Sequence, residues 1–409
     1  MRLGDVVTIN PESINKDYPH NEIEYIDISS VGTGIMHGSK KLNIKEAPSR
    51  AKRIVKNNDI LLATVRPNLR SFWFAKNTNK NTIASTGFAI LRASSSINPR
   101  FLYYTVIHQP FTDYLTANAK GAAYPAVDTD TIQRADIYLP PFPVQSKIAA
   151  ILSAYDDLIE NNLRRIKILE KMAQLIYREW FVHFRFPGHE KSKMVDSPLG
   201  KIPEGWEVKE LIEFGKIVTG KTPSKSKPEF YGAEMPFIKL PDMRNGIYCI
   251  RTIDNLSKSG ADTQKSKTIP PNSLCVSCIG TVGKVSITAN YSQTNQQINS
   301  IVLNKDEHLE YLYFTLLGMK QKIESYSATG ATMNNLNRGK FISLKVLCPP
   351  NNLIDIYHDY VSSLFRLTLN LQLKNEILKH TRDLLLPKLI SGELDVSNLD
   401  ITLPEEVSA

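Results

Sequence analysis

Cysteine is scarce in this chain: four among 409 residues, at Cys249, Cys275, Cys278 and Cys348, all in the second half. A disulfide framework serving the whole chain would need partners in both halves, so reduced thiols are expected. Cys275 and Cys278 have the spacing of half a zinc knuckle. They lie inside an apolar, strand-like run with no second ligand pair, which favours buried thiols over metal. The eight histidines are scattered and share no ligand spacing. No apolar run reaches the roughly 18 residues of a membrane span, and neither end reads as a signal peptide, so a soluble, cytoplasmic protein with no membrane partner is expected.

Catalytic signatures are equally thin. Leu139-Pro-Pro-Phe142 and Cys348-Pro-Pro-Asn351 have the outline of the Asn/Asp-Pro-Pro-aromatic motif of amino-methyltransferases, but Leu139 cannot hydrogen-bond a target amine. No Gly-rich turn for S-adenosylmethionine accompanies either copy, and both read better as corners before a helix. Gly280-Thr-Val-Gly-Lys284 is like the end of a phosphate loop, yet Cys278 stands where the earlier glycine is needed and Val285 where a magnesium-binding Ser or Thr would be. Asp242 is a lone carboxylate without the Glu-x-Lys of a nuclease. No enzyme activity, cofactor or metal is expected of this chain.

What is present is positive charge. The formal net charge is +9 and the pI near 9.1, which points to an acidic partner, nucleic acid first and a membrane surface second, with a merely solvated basic surface as the alternative. Residues 1–142 hold 17 Lys and Arg against 12 Asp and Glu. The excess is dense from Lys40 to Lys56, where Lys40, Lys41, Lys45, Arg50, Lys52, Arg53 and Lys56 face only Glu46.

Also present is a repeat. From Ile148 to Trp180, apolar residues at Ile148, Leu152, Tyr155, Ile159, Ile166, Leu169, Ala173, Ile176 and Trp180 step by four and three once Asn162 joins the series, a heptad seam predicting a long helix. A second long helix is predicted over Leu353–Leu386. Its Tyr357, Val361, Leu364, Leu371, Leu378 and Leu385 lie 209 residues after Ile148, Leu152, Tyr155, Asn162, Leu169 and Ile176. Gly121-Ala122 answers to Gly330-Ala331 and Pro140-Pro141 to Pro349-Pro350 at the same offset, so one unit of about 200 residues is used twice. Strands are predicted at Asp5–Ile9, Glu24–Ile28, Asp59–Val65, Ser71–Ala75, Gly87–Arg92 and Asp136–Leu139, with a helix over Pro99–Ala117 kinked at Pro110. The second unit repeats them from Trp206 through Met235–Leu240, Ser273–Ile279, Lys284–Thr288 and Asn299–Leu303 to a helix near Glu310–Ser325. Residues 190–204 read as an exposed crossing, Pro387 and Gly392 as the close of the second long helix, and the acidic tail as loosely held.

Polar and basic side chains on turns between strands are the candidate DNA contacts. In the first unit these are Lys52, Arg53, Arg66, Asn68, Arg70 and Tyr124. In the second they are Lys284, Gln296, Gln297, Asn299, Asn335 and Arg338. A solvated loop is the alternative for each.

At Trp180-Phe-Val-His-Phe-Arg-Phe-Pro-Gly188, Asp196-Ser-Pro-Leu-Gly-Lys-Ile-Pro-Glu-Gly-Trp-Glu-Val208 and Leu385-Leu-Pro-Lys-Leu-Ile-Ser-Gly-Glu-Leu394, the chain resembles the specificity subunit of type I restriction-modification enzymes. The resemblance implies an α+β protein: two similar mixed α/β target-recognition domains, separated by two long helices forming an antiparallel coiled coil with a pseudo-two-fold internal repeat. On that pattern 1–142 and 206–350 are the recognition domains, 143–186 and 351–392 the conserved helices, 187–205 a linker and 393–409 a tail. It further implies that each domain reads one half of a bipartite site on double-stranded DNA, and that two methyltransferase subunits dock on the helices. Restriction subunits then join, and the other subunits supply adenine methylation and ATP-dependent cleavage. The first unit departs from the pattern by starting at Leu3-Gly-Asp5 without the lead-in that Pro203-Glu-Gly-Trp206 gives the second. A non-enzymatic adaptor that binds proteins through its helices and DNA only weakly is the competing reading.

If the two helices run antiparallel and cross at the midpoints of their matched spans, paired residue numbers sum to about 537, and Asn162 faces Asn375. The alternative is that each amide points outward to solvent or to a partner.

Overall fold

The computed structural model describes residues 1–244, 246–327 and 335–403. The chain divides into two compact units, 1–159 with 377–409 and 160–376.

In the first unit, eight strands form two four-stranded sheets: β1 (Val7–Ile9), β2 (Glu22–Ile26), β3 (Lys40–Asn43), β4 (Ala51–Ile54), β5 (Ile60–Ala63), β6 (Phe72–Phe74), β7 (Thr82–Ser85) and β8 (Phe88–Ala93). One sheet has the order β1-β8-β5-β6 and the other β3-β2-β7-β4, with β2 and β7 parallel. Side chains of a strand alternate between faces, and this splits the core in two. Ile60, Leu62, Ala89 and Leu91 point to a helical layer, while Leu61, Ala63, Phe88 and Ile90 point to a separate cluster with Ile26 and Ala84 of the other sheet. The helical layer is α1 (Pro99–Ile107), α2 (Gln109–Ala117) and α3 (Thr129–Gln133) together with the ends of the two long helices. The expected single helix over Pro99–Ala117 is therefore two. His108 leaves helical geometry (ψ 140°), because the residue two ahead is proline and Pro110 starts a new helix in its first turn instead of kinking the old one.

The second unit repeats this plan. After a hairpin of β9 (Met194–Ser197) and β10 (Gly200–Pro203), β11 (Glu207–Glu210) leads to β12 (Gly215–Thr219), β13 (Tyr231–Ile238), β14 (Tyr248–Cys249), β15 (Asp254–Leu256), β16 (Leu274–Ser277), β17 (Val285–Thr288), β18 (Gln293–Thr294), β19 (Ile298–Leu303) and β20 (Lys345–Cys348). The sheet β12-β19-β16-β17-β14 matches β1-β8-β5-β6 with one strand added, and β15-β13-β18 matches β3-β2-β7, including the parallel pair β13 with β18. Helices α5 (Lys258–Asp262), α6 (Leu309–Gly318), α7 (Lys320–Ser327) and α8 (Arg338–Ile342) complete it. Even the entry is shared: Leu3 N donates to Ala135 O at 2.8 Å, as Leu211 N does to Leu344 O at 2.9 Å.

Two expectations change here and a third holds. Residues 190–204 contain the β9–β10 hairpin, whose Ile202 is buried. Asp136–Leu139 is not a strand, since only the bridge from Arg2 to Asp136 forms; its counterpart β20 pairs four residues with β11. The second unit also has the lead-in ring cluster that the first lacks, with Trp206 packed among Phe181, Phe184 and Phe186.

The long helices are α4 (Phe142–Tyr177), continued by a π-helical turn Arg178–Val182, and α9 (Asn351–Ile390), which runs through Pro387 instead of ending there. In the second unit α4 and α9 run antiparallel: Asn162 meets Asn375, and the Trp180 ring lies 5.9 Å from that of Tyr357. In the first, Asp156 meets Arg382. Beyond α9, Val396 is buried while Ile401 and Leu403 pack on the first unit's core, and Lys147 Nζ donates to Ser397 O at 2.7 Å, so the tail as far as residue 403 is held. No helix among the described residues is long and apolar enough to cross a membrane.

Candidate nucleic-acid interface

Each unit ties three turns together by backbone bonds in the same way. In the first, the turn after β5 is bridged from Val65 to Ala126, Val127 N donates to Thr64 O at 3.0 Å, and Thr64 N donates to Gly87 O in the β7–β8 turn at 2.9 Å. In the second, Ile279 is bridged to Asn335, Leu336 N donates to Cys278 O at 2.8 Å, and Cys278 N donates to Gln297 O in the β18–β19 turn at 2.7 Å. Backbone pinning of this kind holds whatever the side chains are.

Five of the sequence-selected residues come together on these turns with their side chains accessible. Arg66 is exposed and held in the left-handed region (φ 50°), a conformation costing a non-glycine residue on the order of 1 kcal/mol. Its N–H donates to Pro125 O at 2.7 Å, and its guanidinium lies 4.9 Å above the ring of Tyr124, itself 70% exposed. Asn68 is exposed on the same turn. In the second unit Gln296 is exposed and accepts from the Thr222 hydroxyl, and Asn335 is exposed at its bridge. Gln297 and Lys284 are half-buried beside them. Gln297 Oε1 accepts from Asn295 at 2.9 Å, and Lys284 N donates to Ser277 Oγ at 2.9 Å. Most of the turn containing Gly330-Ala331 lies outside the described residues.

Two selected residues have other work. Arg70, also left-handed (φ 54°), turns inward: its guanidinium donates to Gln109 Oε1 at 2.6 Å and to Ile107 O at 2.8 Å, closing the end of α1. Asn299 is buried in β19, accepting from Thr219 Oγ1 at 2.7 Å and donating to Cys278 Sγ at 3.3 Å, so it braces strands instead of facing a ligand. Its burial follows from a strand covered on both faces, with Ile298, Asn299, Ser300 and Ile301 all buried. Lys52 and Arg53 sit on β4, the Arg53 guanidinium donating to Ser13 Oγ at 3.2 Å, and Arg338 opens α8 just after the pinned Leu336.

The turns also carry residues that were not selected. Arg50 O accepts from Thr86 N at 2.8 Å, placing this exposed arginine beside the β7–β8 turn. Lys221 N donates to Thr294 O at 2.9 Å, which places the exposed Lys221 beside β18, and the exposed Lys225 and Lys227 follow on the same loop. Their charge run is visible in the sequence; that Lys221 pairs with the strand leading to the Gln296 turn is not. The basic run 40–56 is divided, because β3 and β4 are opposite edges of one sheet. Lys56 is neutralised by Glu12 at 2.5 Å.

The cysteines are free and buried, and burial pushes the thiols up to about 12 at Cys249 and Cys275 and about 11 at Cys278. Asp242 is occupied by two backbone amides, Lys239 N at 2.7 Å and Ile253 N at 2.9 Å. Among the described residues no group of His, Cys, Asp and Glu could hold a metal ion.

The family model described as type I restriction modification DNA specificity domain matches twice, over residues 1–171 and 203–379. The chain is 32% identical over 458 residues to the type I restriction enzyme HindI specificity subunit of Haemophilus influenzae, covering 96% of this chain and 98% of that protein. It is 29% identical over 402 residues to the MjaIX specificity subunit of Methanocaldococcus jannaschii, covering 97% and 88%. The S subunit of a type I restriction-modification system from M. genitalium has the same fold, with a TM-score of 0.59 at 14% identity over 98% of this chain and 96% of that one. With two family matches spanning most of its length, the chain belongs to the type I restriction-modification specificity subunits.

Proposed function

We propose that this chain is the non-catalytic DNA-reading subunit of its complex, each recognition unit (1–142 and 206–350) reading one half of a bipartite, asymmetric duplex site through its three pinned turns. The observation that carries this reading is the duplicated set of turns, which presents Arg66, Asn68 and Tyr124 in one unit and Lys284, Gln296, Gln297 and Asn335 in the other. Arginine suits guanine and phosphate, amides suit adenine, and the net charge of +9 favours the duplex at long range. Two repeats of one plan suit two identical partners on one asymmetric chain.

The conserved helices (143–186 and 351–392), as an antiparallel coiled coil, set the spacing of the half-sites and dock two methyltransferase subunits, which with restriction subunits provide the chemistry. Support comes from apolar residues off the packed seam: Ile168, Met172 and Leu175 are exposed and, with Tyr313, Phe314 and Leu317, line a cavity of about 530 Å³ in the second unit. Contiguous exposed apolar surface of this kind marks protein contacts.

Selection of duplexes from a random pool by the purified chain, alone and with methyltransferase subunits, tests the reading. A two-part motif with an unread spacer is the expected result. Retention of the protein partner with no enriched sequence would favour the adaptor reading.

A further inference from the structure

The units share a plan, but their seats on the long helices carry opposite chemistry. Helices α1 and α6 correspond at an offset of 210: Phe101-Leu-Tyr-Tyr-Thr105 matches Tyr311-Leu-Tyr-Phe-Thr315, and Thr105 and Thr315 each donate to the carbonyl four residues back, at 2.9 and 2.8 Å. One residue before this stretch stand Arg100 and Glu310, both buried and of opposite charge.

Each has a partner on a long helix. Arg100 lies 3.5 Å from Asp157 of α4, with its guanidinium 5.6 Å above the Phe74 ring. Glu310 Oε2 lies 2.8 Å from His358 Nδ1 of α9. The long helices correspond at an offset of 209, so Asp157 answers to Arg366, and His358 answers to the fully buried Ala149. One turn along, the Tyr104 hydroxyl donates to Asp156 at 2.6 Å, and Asp156 pairs with Arg382 at 2.5 Å. The corresponding residues of the second unit are Phe314, Phe365 and Ala173. There the same place is apolar, with the Phe314 and Phe365 rings 5.7 Å apart and Ala173 buried.

We propose that Arg100 with Asp157, and Glu310 with His358, are matched keys of opposite sign that seat each recognition unit only on its own helical segments. On the other seat, Glu310 would face Asp157 and Ala149, and Arg100 would face Arg366 and His358. Phe314 would leave Asp156 without its hydroxyl donor. Each mismatch buries a charge against a like charge or against nothing, the repulsive half of specificity. Arg100, Asp157, Glu310 and His358 are thus positioning residues, and the order in which the chain presents its two recognition units is set by charge. This goes beyond the DNA reading and does not depend on it.

A charge-exchange cycle in the full chain, read by thermal unfolding, tests the keys. Asp157 is half-exposed and also pairs with Lys76 at 2.8 Å, so it tolerates change. Asp157→Ala should lower the melting temperature slightly and Asp157→Arg, the residue found on the other seat, by about 3 °C or more. Asp157→Arg with Arg100→Glu should melt above either single variant. In the second unit, Glu310→Arg should be damaging and Glu310→Arg with His358→Ala and Arg366→Asp should recover at least half the loss. Asp157→Arg melting no lower than Asp157→Ala, or a double variant melting below both singles, would overturn the proposal.

Discussion

Asn162 Nδ2 donates to Asn375 Oδ1 at 2.8 Å, with both amides buried between α4 and α9. Their numbers sum to 537, the value expected of two antiparallel helices crossing at the midpoints of their matched spans. The repeat relates this layer to Ile166 and Leu371, which are apolar and also buried. The polar layer therefore breaks the symmetry of the seam at this point, as the Asp156–Arg382 pair does further along, and one polar pair of this kind can fix a register. Asn162→Leu should cost about 1–3 kcal/mol by leaving the Asn375 amide unpaired. Asn162→Leu with Asn375→Ile should restore stability to the wild-type level or above, at the expense of register. Chemical denaturation of Asn162→Leu, Asn375→Ile and the double variant checks this, and two neutral single variants would contradict it.

Glu12 gives the first unit an acid-sensitive joint. It accepts from Lys56 and from Arg92, which also grips the buried Asp59 at 2.7 and 2.8 Å, and those hydrogen bonds hold the Glu12 carboxyl below its ordinary value of 4.5. A carboxylate with a lowered folded-state value stabilises fully above its unfolded value and loses that contribution as pH falls through the folded one. Thermal midpoints should therefore decline from about pH 4.5 downward. Glu12→Gln should be less stable at pH 7 and show a shallower decline. A variant that follows the wild-type curve in parallel would count against this joint.

Arg66 and Arg70 should separate in their effects. Arg70→Ala removes the guanidinium that closes α1 and should cost about 1–3 kcal/mol of stability. Arg66→Ala leaves an exposed turn and should barely change unfolding. It should weaken selected-duplex binding by roughly 5- to 150-fold, the equivalent of about 1–3 kcal/mol, if Arg66 reads a base. Denaturation and fluorescence anisotropy measured on both variants would expose the reverse assignment.

The long helices were legible because the heptad seam and the 209-residue offset are local, dense signals: Ile148, Leu152, Ile159, Ile166 and Ala173 are all buried. The strands of the central sheets were found where apolar runs are continuous, as at Ile60–Ala63. Among the strands missed, which include β3, β4, β7, β12, β14, β15 and β18, Gln293–Thr294 is buried through polar side chains, Gln293 donating to Ala261 O at 3.0 Å, and Lys40–Asn43 is mostly exposed, so neither carries an apolar period. Among the site residues, Arg66 and Gln296 were legible as turn residues of the right chemistry. The inward turn of Arg70 was not, because it depends on a carbonyl 37 residues away. The opposite charges at Arg100 and Glu310 were also hidden, since the offset there is 210 and not 209.

The most direct measurement is methylation mapping of a random-sequence plasmid library by the complex of this chain with its methyltransferase subunits, compared for wild type, Arg66→Ala and Gln297→Ala. The account predicts a bipartite motif in wild type, relaxation confined to one half with Arg66→Ala and to the other half with Gln297→Ala, and an unchanged spacer in all three. A contiguous motif, or both substitutions relaxing the same half, would contradict it.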